Sequence, residues 1–266
     1  MELYCIREPE TAPVPVLANI LHSGTYVPDE VGEQFSDQQL KSRIMTDWHL
    51  DKLYDFLLEL GVTSLVANIY RFVVDLNREI KEPLYGPFFT SVICSEKPPG
   101  LPKDRYFPIY KKEPTRAEIE KRIQKYHTPY HERLNNLVDE MVAKHGKLFL
   151  LSLHSYIGGT DSDICVGDAD GTSCSTEFTD MVVNSFEQAG LSVARNNPYK
   201  GGYVTRHYSQ KKGVEALLIE SRSGVYIDPQ HLDQDYMPPW DTALFYEKKL
   251  IFRKVFEDII DGHVFI

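Results

Sequence analysis

Four cysteines, Cys5, Cys94, Cys165 and Cys174, are all that the 266 residues contain, and no two form a C-x-x-C pair. This excludes a cysteine-based zinc ribbon, a thioredoxin-type redox pair and the dense bridges of a small secreted domain. The four are read as reduced thiols of a cytoplasmic protein. Long apolar runs are also missing: none approaches the ~18 residues of a spanning helix, and the opening MELYCIREPE lacks the apolar stretch of a secretory signal. With 29 basic against 39 acidic side chains the formal charge is −10, the wrong sign for displacing counterions from phosphates. A nucleic-acid partner is therefore not expected. There is no G-x-x-x-x-G-K-[ST], no G-x-G-x-x-G and no G-x-S-x-G, so P-loop, dinucleotide and serine-hydrolase readings lack motif support. Internal repeats and low-complexity segments are absent as well.

What remains is an ordinary globular composition, 42% hydrophobic and 26% charged, able to bury a core in one domain spanning 1–266. Short apolar runs at 14–21, 147–153 and 214–219 read as buried strands, and 163–167 and 191–195 as shorter ones. Residues 63–69 and 70–76 read as two β-rich stretches forming a hairpin or one bent strand. Helical spacing is seen over 38–60, over 115–145 with an interruption near Thr128-Pro129, over 175–189 and over 238–259. Between 79 and 114 seven prolines mark an irregular excursion. Continuous apolar strands alternating with helices predict an α/β fold, a mixed and mostly parallel central sheet with helices on both faces.

Open α/β sheets collect their sites at the carboxyl ends of strands. His22, the group Asp75-Leu76-Asn77-Arg78, His154 and Glu220 each lie just past such an end. Two neutral imidazoles and one carboxylate, with an open fourth position, are the ligand set of hydrolytic zinc enzymes. The carboxylate would come from Asp47 or Asp51, which share one face at i, i+4 spacing, while His49 offers a third imidazole between them. A chain of net charge −10 needs converging cations to accept an anionic substrate. Arg78 offers a planar fork for a carboxylate, Arg206 and Arg222 are the next choices for a second carboxylate, and Arg71 is assigned to solvent or a neighbouring acid. His127 and His131 are read as helix-start residues or partners of buried acids, and Asp75 as a group that orients its neighbours. The acids Asp161, Asp163, Asp168 and Asp170 lack calcium-loop spacing and are read as a solvated loop.

Seven short blocks carry a resemblance. They are H-S-G-T-Y-V-P from His22, T-D-W from Thr46, R-F-V-V-D-L-N-R from Arg71, P-Y-H from Pro129, L-H-S-Y from Leu153, P-Y-K-G-G-Y-V-T-R-H-Y from Pro198 and I-E-S-R from Ile219. Their order and spacing, over about 17–226, resemble the N-formylglutamate amidohydrolase family, which is itself similar to the zinc carboxypeptidase and aspartoacylase group. The resemblance implies a zinc-exopeptidase architecture, one zinc ion held by His22, Asp47 and His154, Glu220 as general base, and Asn77 with Arg78 receiving a substrate carboxylate. It further implies hydrolysis of an N-acyl amino acid, N-formyl-L-glutamate to formate and L-glutamate, as in histidine catabolism. Two departures stand out: Leu21 replaces the proline expected before His-Ser-Gly, and no acidic residue lies three positions after His22 as in the carboxypeptidase pattern. The competing readings are a deacylase or carboxypeptidase for another N-acyl amino acid or small peptide, and a non-catalytic binding protein of the same fold.

Overall fold

The computed structural model describes residues 2–99, 101, 105–232 and 234–262. Seven strands form its main sheet: β1 (Tyr4–Arg7), β2 (Val16–Ile20), β3 (Thr63–Ala67), β6 (Leu148–Tyr156), β7 (Ile164–Gly167), β8 (Val193–Arg195) and β9 (Val214–Arg222). Their order is β1-β3-β2-β6-β9-β7-β8. The central strands run parallel, while β1 against β3 and β7 against β9 are antiparallel, the mixed sheet that the alternating pattern predicts.

Both faces are covered, which is why the central strands read as mostly apolar runs. From β6, Leu148 and Leu150 join one core cluster with Leu134, Leu137 and Val138 of the helix α5 (Thr128–His145). Phe149, Leu151 and Leu153 point the other way, toward Phe178, Val182 and Phe186 of α6 (Thr176–Gln188) and Phe252, Val255 and Phe256 of α8 (Ala243–Asp261).

Three expectations change. The segment 38–60 is not one helix but α2 (Asp37–Ser42), α3 (Leu50–Leu53) and a 3-10 turn (Asp55–Leu58). Arg43, Met45 and His49 take positive φ of 45°, 64° and 61°, and these left-handed residues break the helical path. Residues 70–76 form no strand or hairpin; they fold as a buried irregular turn. His154 and Glu220 lie within β6 and β9 rather than beyond them, because both strands extend further than their apolar runs.

The interruption in the 115–145 helix is real. α4 (Arg116–Arg122) passes through a π-helical turn (Ile123–His127) into α5, whose first turn carries Pro129. Gly146, at φ 77°, ends α5 as a left-handed cap. Among its described residues the proline-rich excursion holds the two-residue strands β4 (Tyr85–Gly86) and β5 (Ile93–Cys94) and a bridge from Tyr110 to Phe35; its residues 100 and 102–104 lie outside the described residues. The short helix α7 (Tyr203–Tyr208) follows the Gly201-Gly202 turn. No described helix is long and apolar enough to cross a membrane.

Candidate active site

Adjacent strands β2, β6 and β9 bring three functional segments to one sheet edge. His22 follows β2 by two residues, and parallel pairing sets His154 beside Glu220 in register. Asp47 arrives from the irregular stretch between α2 and α3, where its backbone N–H donates to the His22 carbonyl at 3.0 Å. The left-handed residues that break the predicted helix therefore deliver this carboxylate to the sheet.

His22, Asp47 and His154 are all buried, and one ligand atom from each lies within 4.8 Å of the others. His22 Nε2 donates to Asp75 Oδ1 at 2.8 Å, which leaves Nδ1 as the bare nitrogen. That Nδ1 is buried, has no hydrogen-bond partner, and lies 3.9 Å from Asp47 Oδ2. Burial, with Arg71 adding to it, lowers the His22 pKa to about 4, so the ring is neutral near pH 7. His154 Nδ1 lies 3.0 Å from the same Asp47 oxygen. Burial opposes charge on Asp47, but the His154 hydrogen bond and nearby positive groups outweigh it and hold the carboxyl below its usual range. A bare imidazole nitrogen, a second imidazole whose Nδ1 lies against Asp47, and an ionised carboxylate converging in one place fit a divalent zinc ion. His49 and Asp51 do not join them. His49 Nε2 donates to Pro238 O, and Asp51 pairs with Arg7.

Asp75 is fully buried and has three donors: His22 Nε2, the Asn77 backbone N–H at 2.9 Å, and Arg71 Nη2 at 2.8 Å. It fixes the His22 tautomer in the way a carboxylate orients a metal-binding histidine. Val204 N–H donates to Asn77 Oδ1 at 3.0 Å, orienting the amide so that Nδ2 lies 3.3 Å from His154 Nε2. Gly202 permits this approach, since a Cβ there would stand 2.3 Å from Asn77 Nδ2.

His22, Asp47, His154 and Asn77 line a cavity of about 340 Å³, with Glu220, Arg71, Arg78, Tyr199 and Arg206 also on its walls. A second cavity of about 420 Å³ shares Asn77, Arg78, Gly202 and Arg206 with it. Glu220 Oε2 has no hydrogen-bond partner, and burial, reinforced by the Asp47 charge against the opposing pull of His154, pushes its pKa up to about 7. A carboxyl so poised can take up and release a proton near neutral pH.

The cations divide into two groups. Arg71, expected at solvent or against an acid, is buried, pairs with Asp75, and lines the cavity; its Nε has no partner. Sequence reading missed it because an arginine four residues before an aspartate also suits a plain surface pair. Arg78 lines the cavity while donating to the carbonyls of Phe88 and Asn77. Arg206 reaches both cavities, and its Nε donates to Gly201 O. Arg222 is not brought in: it donates to Asp163 Oδ1 at 2.7 Å, away from the cavity walls. Nor is Asp168 a solvated loop residue. It is fully buried, receives Arg195 Nε at 2.9 Å, and anchors the turn whose Ala169 N–H donates to Lys200 O.

The family model described as N-formylglutamate amidohydrolase matches residues 14–227. The chain belongs to the N-formylglutamate amidohydrolase family. Membership makes it a hydrolase of non-peptide amide bonds. It is 31% identical over 232 residues to the N-formylglutamate deformylase of Pseudomonas aeruginosa, covering 82% of this chain and 84% of that one. Identity to the N-formylglutamate deformylase of Pseudomonas putida is 28% over 246 residues, covering 87% and 90%. Among solved structures, the N-formylglutamate amidohydrolase of Ralstonia eutropha JMP134 superposes with a TM-score of 0.79 at 25% identity, covering 98% of this chain and 100% of that one.

Proposed function

We propose that the protein, acting as one amidohydrolase domain in the cytoplasm, is a zinc-dependent deformylase that converts N-formyl-L-glutamate and water to formate and L-glutamate. The observation that carries this reading is the convergence of His22, Asp47 and His154 beside the unpartnered carboxyl of Glu220, in a cavity walled by three arginines. The curated relatives, named as N-formylglutamate deformylases, support the substrate. A binding protein would have no use for a half-buried glutamate with an unpartnered Oε2 beside a metal set, which favours catalysis over the non-catalytic alternative. A place in histidine catabolism accords with this substrate.

Zinc held by His22, Asp47 and His154 would supply Lewis acidity toward the formyl oxygen and toward water at neutral pH. Glu220 accepts a proton from the attacking water as the new C–O bond forms, then delivers it to the amide nitrogen as the C–N bond breaks. Arg71, fixed by Asp75, offers its unpartnered Nε to negative charge developing on the formyl oxygen. Asn77 and Arg78 receive the α-carboxylate, and Arg206, at the junction of the two cavities, receives the side-chain carboxylate. The local cations offset the repulsion between a dianion and a chain of net charge −10.

The experiment is release of formate from formylated, and of acetate from acetylated, amino acids across a panel. Formylglutamate is expected to exceed formylnorleucine, which has no side-chain carboxylate, by roughly tenfold to a hundredfold in kcat/KM, the worth of one charged hydrogen-bonded contact. Equal rates on both would refute the assignment of the side-chain carboxylate. Absence of formate release from every formyl substrate would refute the function.

A further inference from the structure

Residues 75–78 carry Asp75, Asn77 and Arg78 into the site, yet they belong to no strand, so their carbonyls, in a largely buried segment, have no ladder partner. A buried carbonyl without a donor costs free energy and leaves its segment free to shift. Here two donors come from one neighbouring helix. His131 Nε2 donates to Leu76 O at 2.8 Å, and His127 Nε2 donates to Arg78 O at 2.8 Å. The two histidines are four residues apart, on one face of the π-turn and α5, with ring centroids 4.3 Å apart.

Both rings are held as neutral donors. A carbonyl can only accept, so the proton of each ring sits on Nε2. Nδ1 of His131 faces Tyr208 Oη at 3.0 Å, and Nδ1 of His127 is buried without a partner. Burial, with the neighbouring histidine adding to it, lowers the His131 pKa to about 3, and burial lowers that of His127. Between the two pinned carbonyls, Asn77 O receives Arg78 Nη1 at 2.9 Å. Neither histidine lines the cavity.

We propose that His127 and His131 are positioning residues for the hydrolysis: they pin the Leu76 and Arg78 carbonyls and thereby set Asn77 and Arg78 against the substrate. This rests on the proposed role of Asn77 and Arg78 as the carboxylate site. The metal ligands His22, Asp47 and His154 come from other segments, and they meet this one through the Asp75 and Asn77 side chains rather than through the pinned carbonyls.

The test compares His131→Phe and His127→Phe with His131→Gln and His127→Gln in the full-length, metal-loaded enzyme. A glutamine amide can replace an Nε2–H donor; phenylalanine fills the volume but donates nothing. The Phe variants are expected to keep their metal content, to raise KM for formylglutamate by about tenfold or more with a smaller change in kcat, and to speed amide hydrogen exchange over 75–78. The Gln variants are expected to restore most of the loss. Phe variants with wild-type KM and exchange would overturn the proposal, as would Phe and Gln variants equally impaired at equal thermal stability. If one position fails to fold as Phe, the other position and the two Gln variants decide by the same measures. An inactive wild-type enzyme would refute the proposed function instead, while the exchange comparison still decides whether the carbonyls are pinned.

Discussion

His22 Nε2 and Asp75 Oδ1 stand 2.8 Å apart, both buried, so that the imidazole turns its other nitrogen, without a partner, toward Asp47. The same aspartate holds Arg71 and the start of the Asn77-Arg78 turn. One fully buried carboxylate thus ties a ligand histidine, a cavity cation and the carboxylate-binding segment into a single arrangement.

Asp75→Asn removes the charge while keeping the volume, which leaves Arg71 without its buried counter-charge and His22 with a weaker orienting partner. Metal affinity is expected to fall by roughly 10- to 100-fold, the usual cost of losing such a partner. Competition with a chromophoric chelator measures it; unchanged affinity would detach Asp75 from the metal set.

Glu220→Gln is expected to retain zinc and the fold while turnover falls by roughly 10² to 10⁴. Zinc content and formate release are measured on the same preparation. Loss of zinc would make Glu220 a ligand, and near-normal turnover would remove it from proton transfer.

Gly202→Ala places a Cβ 2.3 Å from Asn77 Nδ2, so the amide must move away from His154 and the substrate. A displacement of about 1 Å can cost about 10²-fold in rate. Activity is expected to fall on that scale while the melting temperature changes little, which enzyme assay and calorimetry together would show. Wild-type activity would mean that the Asn77 amide has no fixed role.

Asp168→Ala tests stability apart from chemistry. Burial opposes its charge, but Asn196, the Gly171 N–H and Arg195 outweigh it and hold the carboxyl below its ordinary range. A depressed folded-state pKa contributes stability above the unfolded value of ~3.9, lost as pH falls through the lower folded value. Because Arg195 remains about a third exposed, the loss is expected near the lower end for a broken buried pair, about 3 kcal/mol at neutral pH. The difference between variant and wild type should shrink below about pH 4. Urea unfolding at several pH values checks both the size and the sign.

The sequence made the β2, β6 and β9 strands legible because each is buried on both faces and so spells a mostly apolar run. The same signal misled at 70–76, where Tyr70, Phe72, Val73 and Val74 are equally buried but in a turn: a short apolar run reports burial, not backbone path. The break after α2 left no trace, since Arg43, Met45 and His49 carry no glycine-like mark of a left-handed backbone. His22, His154 and Glu220 were readable as polar residues punctuating apolar strands. Residue spacing left Asp47, Asp51 and His49 open and only the family resemblance favoured Asp47; the chain path then separates them, with Asp51 on Arg7 and His49 on Pro238 O. Arg222 sits in the same I-E-S-R block as Glu220, and the two-residue alternation of β9 would put both on one face, but the pull of Asp163 takes its charge elsewhere.

The most direct test of the account is the metal content of the purified protein, measured together with formate release before chelation, after chelation and after zinc is returned. One zinc per wild-type chain, no formate release without it, recovery when it is restored, and a His154→Ala variant lacking both zinc and activity are the predicted results. A metal-free wild-type enzyme that hydrolyses formylglutamate at the full rate, or a His154→Ala variant that keeps one equivalent of zinc, would contradict it.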